Sequence, residues 1–468
     1  MSDWLKYEPS SGYGNGTITI TASTLEELAE RTKTIVAVNE DYNLSAETVV
    51  EQRLPNVGDY LTFYIISGGT INWRTTSNSF TKTISYSKDN GSSWTEITSS
   101  TAGTSFNVNA GDIVMFKGDN PSYANSGNTN SFTNSTAVFE IEGNIMSLIN
   151  STNFSSAITF SDYAFYGLFY NCTGLTHADN LLLPSTTLTT KCYGNMFNSC
   201  TSLTTAPALP ATTLSDRCYI YMFKGCSSLT TIPELPATIL AEWCYVEMFA
   251  GCTSLKSLEN YVLPATTLAN TCYGDMFRGC TGLVTAPALP ATALTSECYV
   301  DMFGYCTSLT TAPVLPATTL AYKCYEAMFI GCTSLTTAPE LPATTLANYC
   351  YDNMFSGCYS LTTAPELPAT TLANSCYGSM FSSCELLTTA PELPATILAE
   401  RCYDDMFAEC TSLNYIKCLA TDISAQNCTL EWTYHVAATG TFVKNPNMSS
   451  WTTGTGGIPT NWAVQDAT

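Results

Sequence analysis

Basic residues are scarce in this chain: 17 Lys and Arg stand against 39 Asp and Glu among 468 residues, a net charge of -22. Nucleic-acid binding draws its affinity from Lys and Arg that neutralise phosphates, so this balance argues against a nucleic-acid partner, and against an anionic membrane surface. Charge of either sign is also sparse, at 12% of residues, about half the usual share. Thr, Ser, Asn, Tyr and Ala fill the gap, a composition suited to β-structure. The only two histidines are His177 and His435, and neither lies in a Gly-x-Ser-x-Gly or His-Glu-x-x-His context. No phosphate-cradling glycine motif precedes a helix pattern. These absences point to a non-enzyme with neither cofactor nor metal. No apolar run approaches the roughly 18 residues a membrane span needs, so no membrane insertion is expected. The opening Met1 to Pro9 lacks a basic n-region followed by an apolar stretch, so no secretory leader is expected.

What is present divides the chain into segments. Residues 1–53 read as short strands: Thr17-Ile18-Thr19-Ile20-Thr21, Thr34-Ile35-Val36-Ala37-Val38 and Thr48-Val49-Val50, with a turn at Ser11–Gly16 and a connection at Leu25–Glu30. Residues 54–145 form a second β-unit, read as a sandwich. In it Tyr60–Ile66 is a buried strand, and Thr83–Tyr86 and Trp94–Ile97 flank Asp89-Asn90-Gly91, whose Asn-Gly tolerates the positive φ of a hairpin turn. Phe106–Val108 and Asp112–Phe116 are expected to pair across Asn109-Ala110-Gly111. The polar stretch Asp119–Asn134 is expected to be a long exposed loop.

From residue 146 to 417 the chain repeats itself. The unit is Cys-Tyr-x-x-Met-Phe-x-x-Cys-x-x-Leu-x5-Leu-Pro-Ala-Thr-x-Leu-Ala-x-x, and the second cysteines, Cys172 to Cys410, recur at steps of 26 or 28. The two longer steps arise from His177–Leu181 and Leu258–Val262, expected to bulge on one face. In the first unit Ala164-Phe165 replaces Cys-Tyr and Leu168-Phe169 replaces Met-Phe, as end repeats often differ. After Cys418 the period is expected to break, leaving residues 418–468, with Trp432, Trp451 and Trp462, as a cap over an otherwise open apolar end.

A period of 20 to 29 with leucine at fixed places marks leucine-rich repeats. Phe-x-x-Cys-x-x-Leu followed by Leu-Pro resembles the BspA-like class of Bacteroidetes and their crAss-like phages, over roughly residues 150–420. The sequence departs from that class in carrying Pro in nearly every Ala-Pro-x-Leu-Pro, which bears on the length of the concave strand. Trp4-Leu5, Pro9–Gly12, Thr17–Thr21, Arg31-Thr32 and Val49–Gln52 resemble the small BACON or Ig-like modules of the same organisms. The fold expected is therefore mainly β: an Ig-like module, a sandwich, and a leucine-rich-repeat solenoid of ten repeats, about 50 Å long at roughly 4.8 Å per repeat, with a C-terminal cap. The resemblance implies a virion appendage (a fibre or decoration protein) that attaches to host-surface glycan, protein or mucus, or contacts other virion proteins. A fibre position would imply a homo-oligomer, a trimer. Two other readings stand beside it: a bacterial cell-surface adhesin, and a spacer that binds nothing.

Candidate sites follow from what changes within the repeat. The cysteine ladder (Cys192, Cys200, Cys218, Cys226, Cys244, Cys252, Cys272, Cys280 and successors) could bind metal only with a Cys-x2-Cys spacing or convergent histidines, which are missing. Disulfides would have to pair neighbours off within a column. The favoured reading is small buried thiols filling the core. Met-Phe pairs are core, and the tyrosines from Tyr193 to Tyr403 are expected to pack their rings with hydroxyls at the surface. Variation concentrates before each first cysteine and beside Met-Phe, at Arg217, Trp243, Tyr322, Lys323, Tyr349 and Arg401, and at Tyr221, Lys224, Glu247, Arg278, Tyr305 and Asp404-Asp405. Aromatics there suit sugar stacking or a protein contact. Trp73 and Tyr123 are weaker candidates. For the cysteines, thermal melts with and without reductant should coincide; a large fall in melting temperature on reduction would reveal disulfides.

Overall fold

The computed structural model describes the strand backbones 5–8, 19–22, 31–39 and 44–52, then residues 59–448 and 451–468. The chain is mainly β with almost no helix. In the front segment β1 (Leu5–Glu8) pairs antiparallel with β2 (Thr19–Ala22), and β3 (Arg31–Asn39) with β4 (Leu44–Gln52). The expected strands at 34–38 and 48–50 fall within β3 and β4. The Ser11–Gly16 turn and the Leu25–Glu30 connection lie outside the described residues.

Two sheets follow. Their strands are β5 (Leu61–Ser67), β6 (Gly69–Thr75), β7 (Thr83–Ser87), β8 (Thr95–Thr98), β9 (Thr104–Val108), β10 (Ile113–Lys117), β11 (Asn130–Ser131), β12 (Val138–Asn144) and β13 (Asn180–Leu182). One sheet has the order β13-β12-β5-β10-β7-β8 and the other β11-β6-β9. Alternating apolar residues turn inward from both, and rings meet between them: Phe63 and Phe132 at 5.0 Å, Tyr86 and Phe106 stacked at 3.9 Å. The β7–β8 hairpin forms with Asn90 and Gly91 at φ 54° and 82°, although its loop spans Lys88–Trp94 rather than two residues.

Three expectations fail here. Strands β9 and β10 do not pair with each other: β9 pairs with β6, and β10 with β5 and β7. The Asn109–Asp112 turn instead carries the chain from one sheet to the other, which lets Phe106 and Phe116 face a common interior at 6.5 Å. The stretch 119–134 is no exposed loop, because Tyr123, Ala124 and Phe132 are buried. Its backbone meets the open edge of the first coil, with Tyr123 N–H donating to Ala164 and Phe132 N–H to Leu168, both at 2.8 Å. Neither Trp73 nor Tyr123 can stack a ligand. Both are fully buried, the indole donating to the Lys82 carbonyl at 2.8 Å and the phenol to that of Leu148 at 2.6 Å.

From Tyr163 the repeats stack as parallel coils, and the turning edge of each has a four-residue rhythm. Take Arg217 to Cys226. Cys218, Tyr219, Met222, Phe223 and Cys226 point inward and are buried. Arg217, Tyr221 and Gly225 have left-handed backbones, φ 55°, 59° and 72°. Ile220, Met222 and Lys224 donate N–H back three residues, to Arg217, Tyr219 and Tyr221 at 3.1–3.2 Å. The alternate amides, of Tyr219, Tyr221, Phe223 and Gly225, donate to the next coil at Cys244, Val246, Met248 and Ala250, at 2.7–3.1 Å. Donors thus alternate between closing a turn and joining coils, so none is orphaned. Left-handed backbone is uncommon for non-glycine residues, yet the same three slots recur from Tyr163-Gly167-Asn171 to Asn427-Glu431-His435.

The other edge is nearly bare of strand. Coils meet there by isolated bridges such as His177 to Thr205, Thr285 to Thr311 and Thr337 to Thr363. Proline two residues on, as in Thr285-Ala286-Pro287, has no N–H to extend a ladder. Between the first coil and the coil of Cys410, strands longer than a bridge appear only where that proline is missing: β13 in the first and β14 (Tyr415–Cys418) after Cys410. The first insertion therefore does not bulge freely; it supplies β13, which pairs parallel to β12 and extends the front sheet. The second does project, leaving Glu259, Asn260 and Val262 exposed while Tyr261 donates its hydroxyl to the Pro233 carbonyl at 2.7 Å.

Two aromatic columns run the length of the stack. Phenylalanines from Phe169 to Phe407 stack at 5.4–5.9 Å between centroids. Tyrosines from Tyr193 to Tyr403 stack at 5.6–6.2 Å. Both spacings exceed the roughly 4.8 Å of neighbouring strands. The columns extend into both covers: Phe132 lies on Phe169, Tyr123 on Phe165, and Trp432 between Tyr403 and Trp451. One apolar core consequently continues from Leu61 to Trp462. The period does not stop at Cys418 either. Cys428 lies 26 residues beyond Cys402 and accepts from Tyr403 N–H at 3.0 Å, before β15 (Thr441–Lys444) and β16 (Ala463–Asp466) add to β14 in parallel.

The tyrosine hydroxyls are not at the surface. Each residue from Tyr193 to Tyr403 is 1% exposed, because a ring stacked between two coils has both faces and its tip enclosed. The hydroxyls of Tyr193, Tyr245 and Tyr273 have no hydrogen-bond partner, and an unpaired buried hydroxyl costs about 1–3 kcal/mol. Tyr245→Phe should therefore raise the unfolding free energy by about 1 kcal/mol in denaturant titrations; a loss of similar size would mean that the hydroxyl is bonded in solution.

Candidate recognition face

All 21 cysteines are buried thiols. In the second column, each S–H from Cys200 to Cys410 donates to a phenylalanine carbonyl of the preceding coil at 3.0–3.2 Å. A side chain small enough for the core and able to donate once is what that position requires. In the first column, Cys244 has only a long contact, 3.9 Å, to the Cys272 carbonyl. Burial pushes Cys192, Cys200 and Cys280 up to about 12, and raises Cys218, Cys226, Cys244, Cys252 and Cys272 as well. Thiols held in that form are poor nucleophiles and poor metal ligands.

The residues that change from coil to coil lie on the outer side of the four-residue rhythm. Arg217, Trp243, Lys323, Tyr349 and Arg401 occupy the first left-handed slot, Tyr221 and Glu247 the second, and Tyr305 the third, where five other coils place glycine. Neighbouring coils bring them together as aromatic–cation pairs. The Arg217 guanidinium lies 5.0 Å from the Trp243 ring while bonding Asp216 at 2.6 Å. Lys224 covers Tyr221 at 5.1 Å and pairs with Glu247. Arg278 covers Tyr305 at 4.8 Å and bridges Asp275 and Asp301. Lys323 sits 5.7 Å from Tyr322 and 5.2 Å from Tyr349, whose rings meet edge-on at 6.0 Å. Arg401 is exposed and reaches Asp404 at 3.9 Å. The candidates thus form separate clusters along one face rather than a single site. Tyr305 and Tyr322 keep 44% and 42% exposure, so their rings remain reachable.

Carboxylates crowd this face. Asp275 is raised to about 6, chiefly by burial and then by Glu247, against the opposing pull of Arg278 and Lys224. Asp352 is likewise raised to about 6, by burial and then Glu326, opposed by a hydrogen bond from Asn353 and by Lys323. Among the described residues no group of His, Cys, Asp and Glu side chains is arranged to hold a metal ion, and no helix is long and apolar enough to cross a membrane.

One concavity escaped the reading of the sequence. Where the front sheets meet the first coils, a pocket of about 590 Å³ is lined by Arg74 and several threonines on one side, and by Tyr166, Tyr170, Asn171 and Asn195 on the other. Its signal was present in the first repeat, where Tyr163, Tyr166 and Tyr170 fill three outward slots. The partner side, from β6 and the 129–134 segment, could not be placed there without the tertiary fold. No family profile, curated protein or solved structure matches the chain.

The raised carboxyls set a pH dependence. A carboxyl whose folded value exceeds its ordinary 3.8 stabilises the fold while protonated and loses that contribution as pH rises through the folded value. Asp352→Asn should therefore match the wild type in melting temperature near pH 4 and exceed it increasingly up to pH 7. A constant difference across that range would contradict the assignment.

Proposed function

We propose that the chain is a non-catalytic recognition protein: a BspA-like leucine-rich-repeat solenoid, with a BACON or Ig-like module in front, carried as a fibre or decoration protein on a phage virion to attach it to host-surface glycan, protein or mucus. The recognition reading rests on one observation. Residues that vary between coils gather on and beside the left-handed slots of one face as aromatic–cation clusters, whereas the Cys, Tyr, Met and Phe that recur along the same edge are buried. Tyr, Trp and Arg are the side chains that most often dominate binding surfaces. Placement on a virion is supported by the resemblance of the Phe-x-x-Cys-x-x-Leu repeat and by the reduced character of its thiols, which suits assembly in a reducing compartment. Catalysis is disfavoured because His177 and His435 lie in the first and last coils, each beside one glutamate, at 3.8 and 2.9 Å.

The double variant Trp243→Ala/Tyr349→Ala tests the face. Attachment of the purified chain to host cells or mucus should fall at least about tenfold, the loss expected for removing hot-spot aromatics, with the circular dichroism unchanged. Full retention of attachment would leave the solenoid a spacer.

A further inference from the structure

The pocket between the front sheets and the first coils has a chemistry unlike the rest of the surface. The chain carries more than twice as many acids as bases, yet no carboxylate lines this pocket. Arg74, half-buried at the end of β6, faces it, and among the described residues no acidic side chain pairs with that guanidinium. The other polar lining is neutral, hydroxyls and amides. Tyr166 is oriented by a relay: Ser199 donates to Asn198 at 2.7 Å, Asn198 to Asn195 at 2.7 Å, and Asn195 to the Tyr166 oxygen at 2.6 Å. Because that oxygen accepts from Asn195, its own O–H is left to donate. Tyr170 at the rim is 46% exposed and offers a ring face. A volume of about 590 Å³ lies within the roughly 300–1,000 Å³ typical of small-molecule sites.

Resting on the glycan-attachment reading above, we propose that this pocket binds a saccharide unit bearing a carboxylate. A planar guanidinium with no acidic partner matches a carboxylate in two-point geometry. Neutral donors and acceptors suit sugar hydroxyls without repelling the acid, and an exposed aromatic ring suits the apolar face of a pyranose. The site is built jointly by the sandwich and the first two coils, so it exists only in the assembled chain. It is also independent of the clusters at Trp243 and Tyr349.

The test uses the full chain on immobilised oligosaccharides carrying galacturonate, glucuronate or sialate, each beside its neutral counterpart, with attachment to host cells measured in parallel. The wild type should prefer at least one acidic member about tenfold or more. Arg74→Gln should reduce it to the level of the neutral sugar, Arg74→Lys should keep part of the preference, and Tyr170→Ala should weaken acidic and neutral forms alike. Val314→Ala, at an exposed position outside both the pocket and the aromatic–cation clusters, should change neither, and melting curves establish that each variant folds. No acidic preference in the wild type, or a preference that survives Arg74→Gln, overturns the proposal. Attachment to cells that persists in that case leaves the recognition reading standing, whereas an Arg74-dependent preference without cell attachment supports the pocket and removes the reading.

Discussion

Everything in the stack depends on how its amide groups are shared. Along the turning edge of each coil, one N–H closes a turn to the residue three back, and the next reaches across to the following coil. Neither helix nor sheet uses that alternation, yet it satisfies every donor from Tyr193 to Cys200 and again in each repeat. Its geometric requirement is a left-handed residue at every fourth position. Each such residue other than glycine is intrinsically unfavourable, and it persists because the hydrogen bonds on both sides and the aromatic pair between them leave no alternative. Side chains consequently point two in and two out, which assigns Cys-Tyr and Met-Phe to the core and leaves the intervening pairs on the outer side, where some, such as Ile220 and Val246, are still covered by neighbouring coils.

That division separates the residues that set stability from those free to vary. The inward pairs make columns of thiols, thioethers and rings that are indifferent to what lies outside, so the left-handed slots can hold Lys191, Arg217, Trp243, Thr271 or Glu297 without disturbing the core. On the outer face, cations bridge from one coil to a ring or carboxylate on the next, as Arg278 does between Asp275, Asp301 and Tyr305. Such exposed pairs contribute little to stability individually. Their effect is to hold rings in fixed orientations on a rigid surface, the condition under which a contact surface loses least entropy on binding.

The sequence made the repeat legible because its inward residues recur at 26 or 28 positions with little substitution. The cysteines, methionines and phenylalanines lie in the core where that recurrence puts them, and proline before Leu-Pro foretold the shortage of strand. What escaped was non-local. The four-residue rhythm matches neither the 3.6 period of a helix nor the 2 of a strand, so nothing local showed that Tyr219 or Tyr245 would be enclosed down to the hydroxyl. Tyr123 and Phe132 sit in a polar stretch that reads as loop, and only the first coil's open edge explains their burial. Cys428 and Trp432 continue the stack beneath a sequence that no longer looks like the repeat. Arg74 and Tyr166 lie far apart in sequence and meet only where two units join.

Residue-resolved amide hydrogen exchange on the native chain is the most direct test of the shared-amide arrangement. The amides of Tyr219, Tyr221, Phe223 and Gly225, which join coils, should be protected together with those of Ile220, Met222 and Lys224, which close turns, as one cooperative block repeated through the stack. The Thr-Ala-Pro edge, held only by isolated bridges, should exchange faster. Rapid exchange of the coil-joining set, with protection confined to the turn-closing set, would contradict the account.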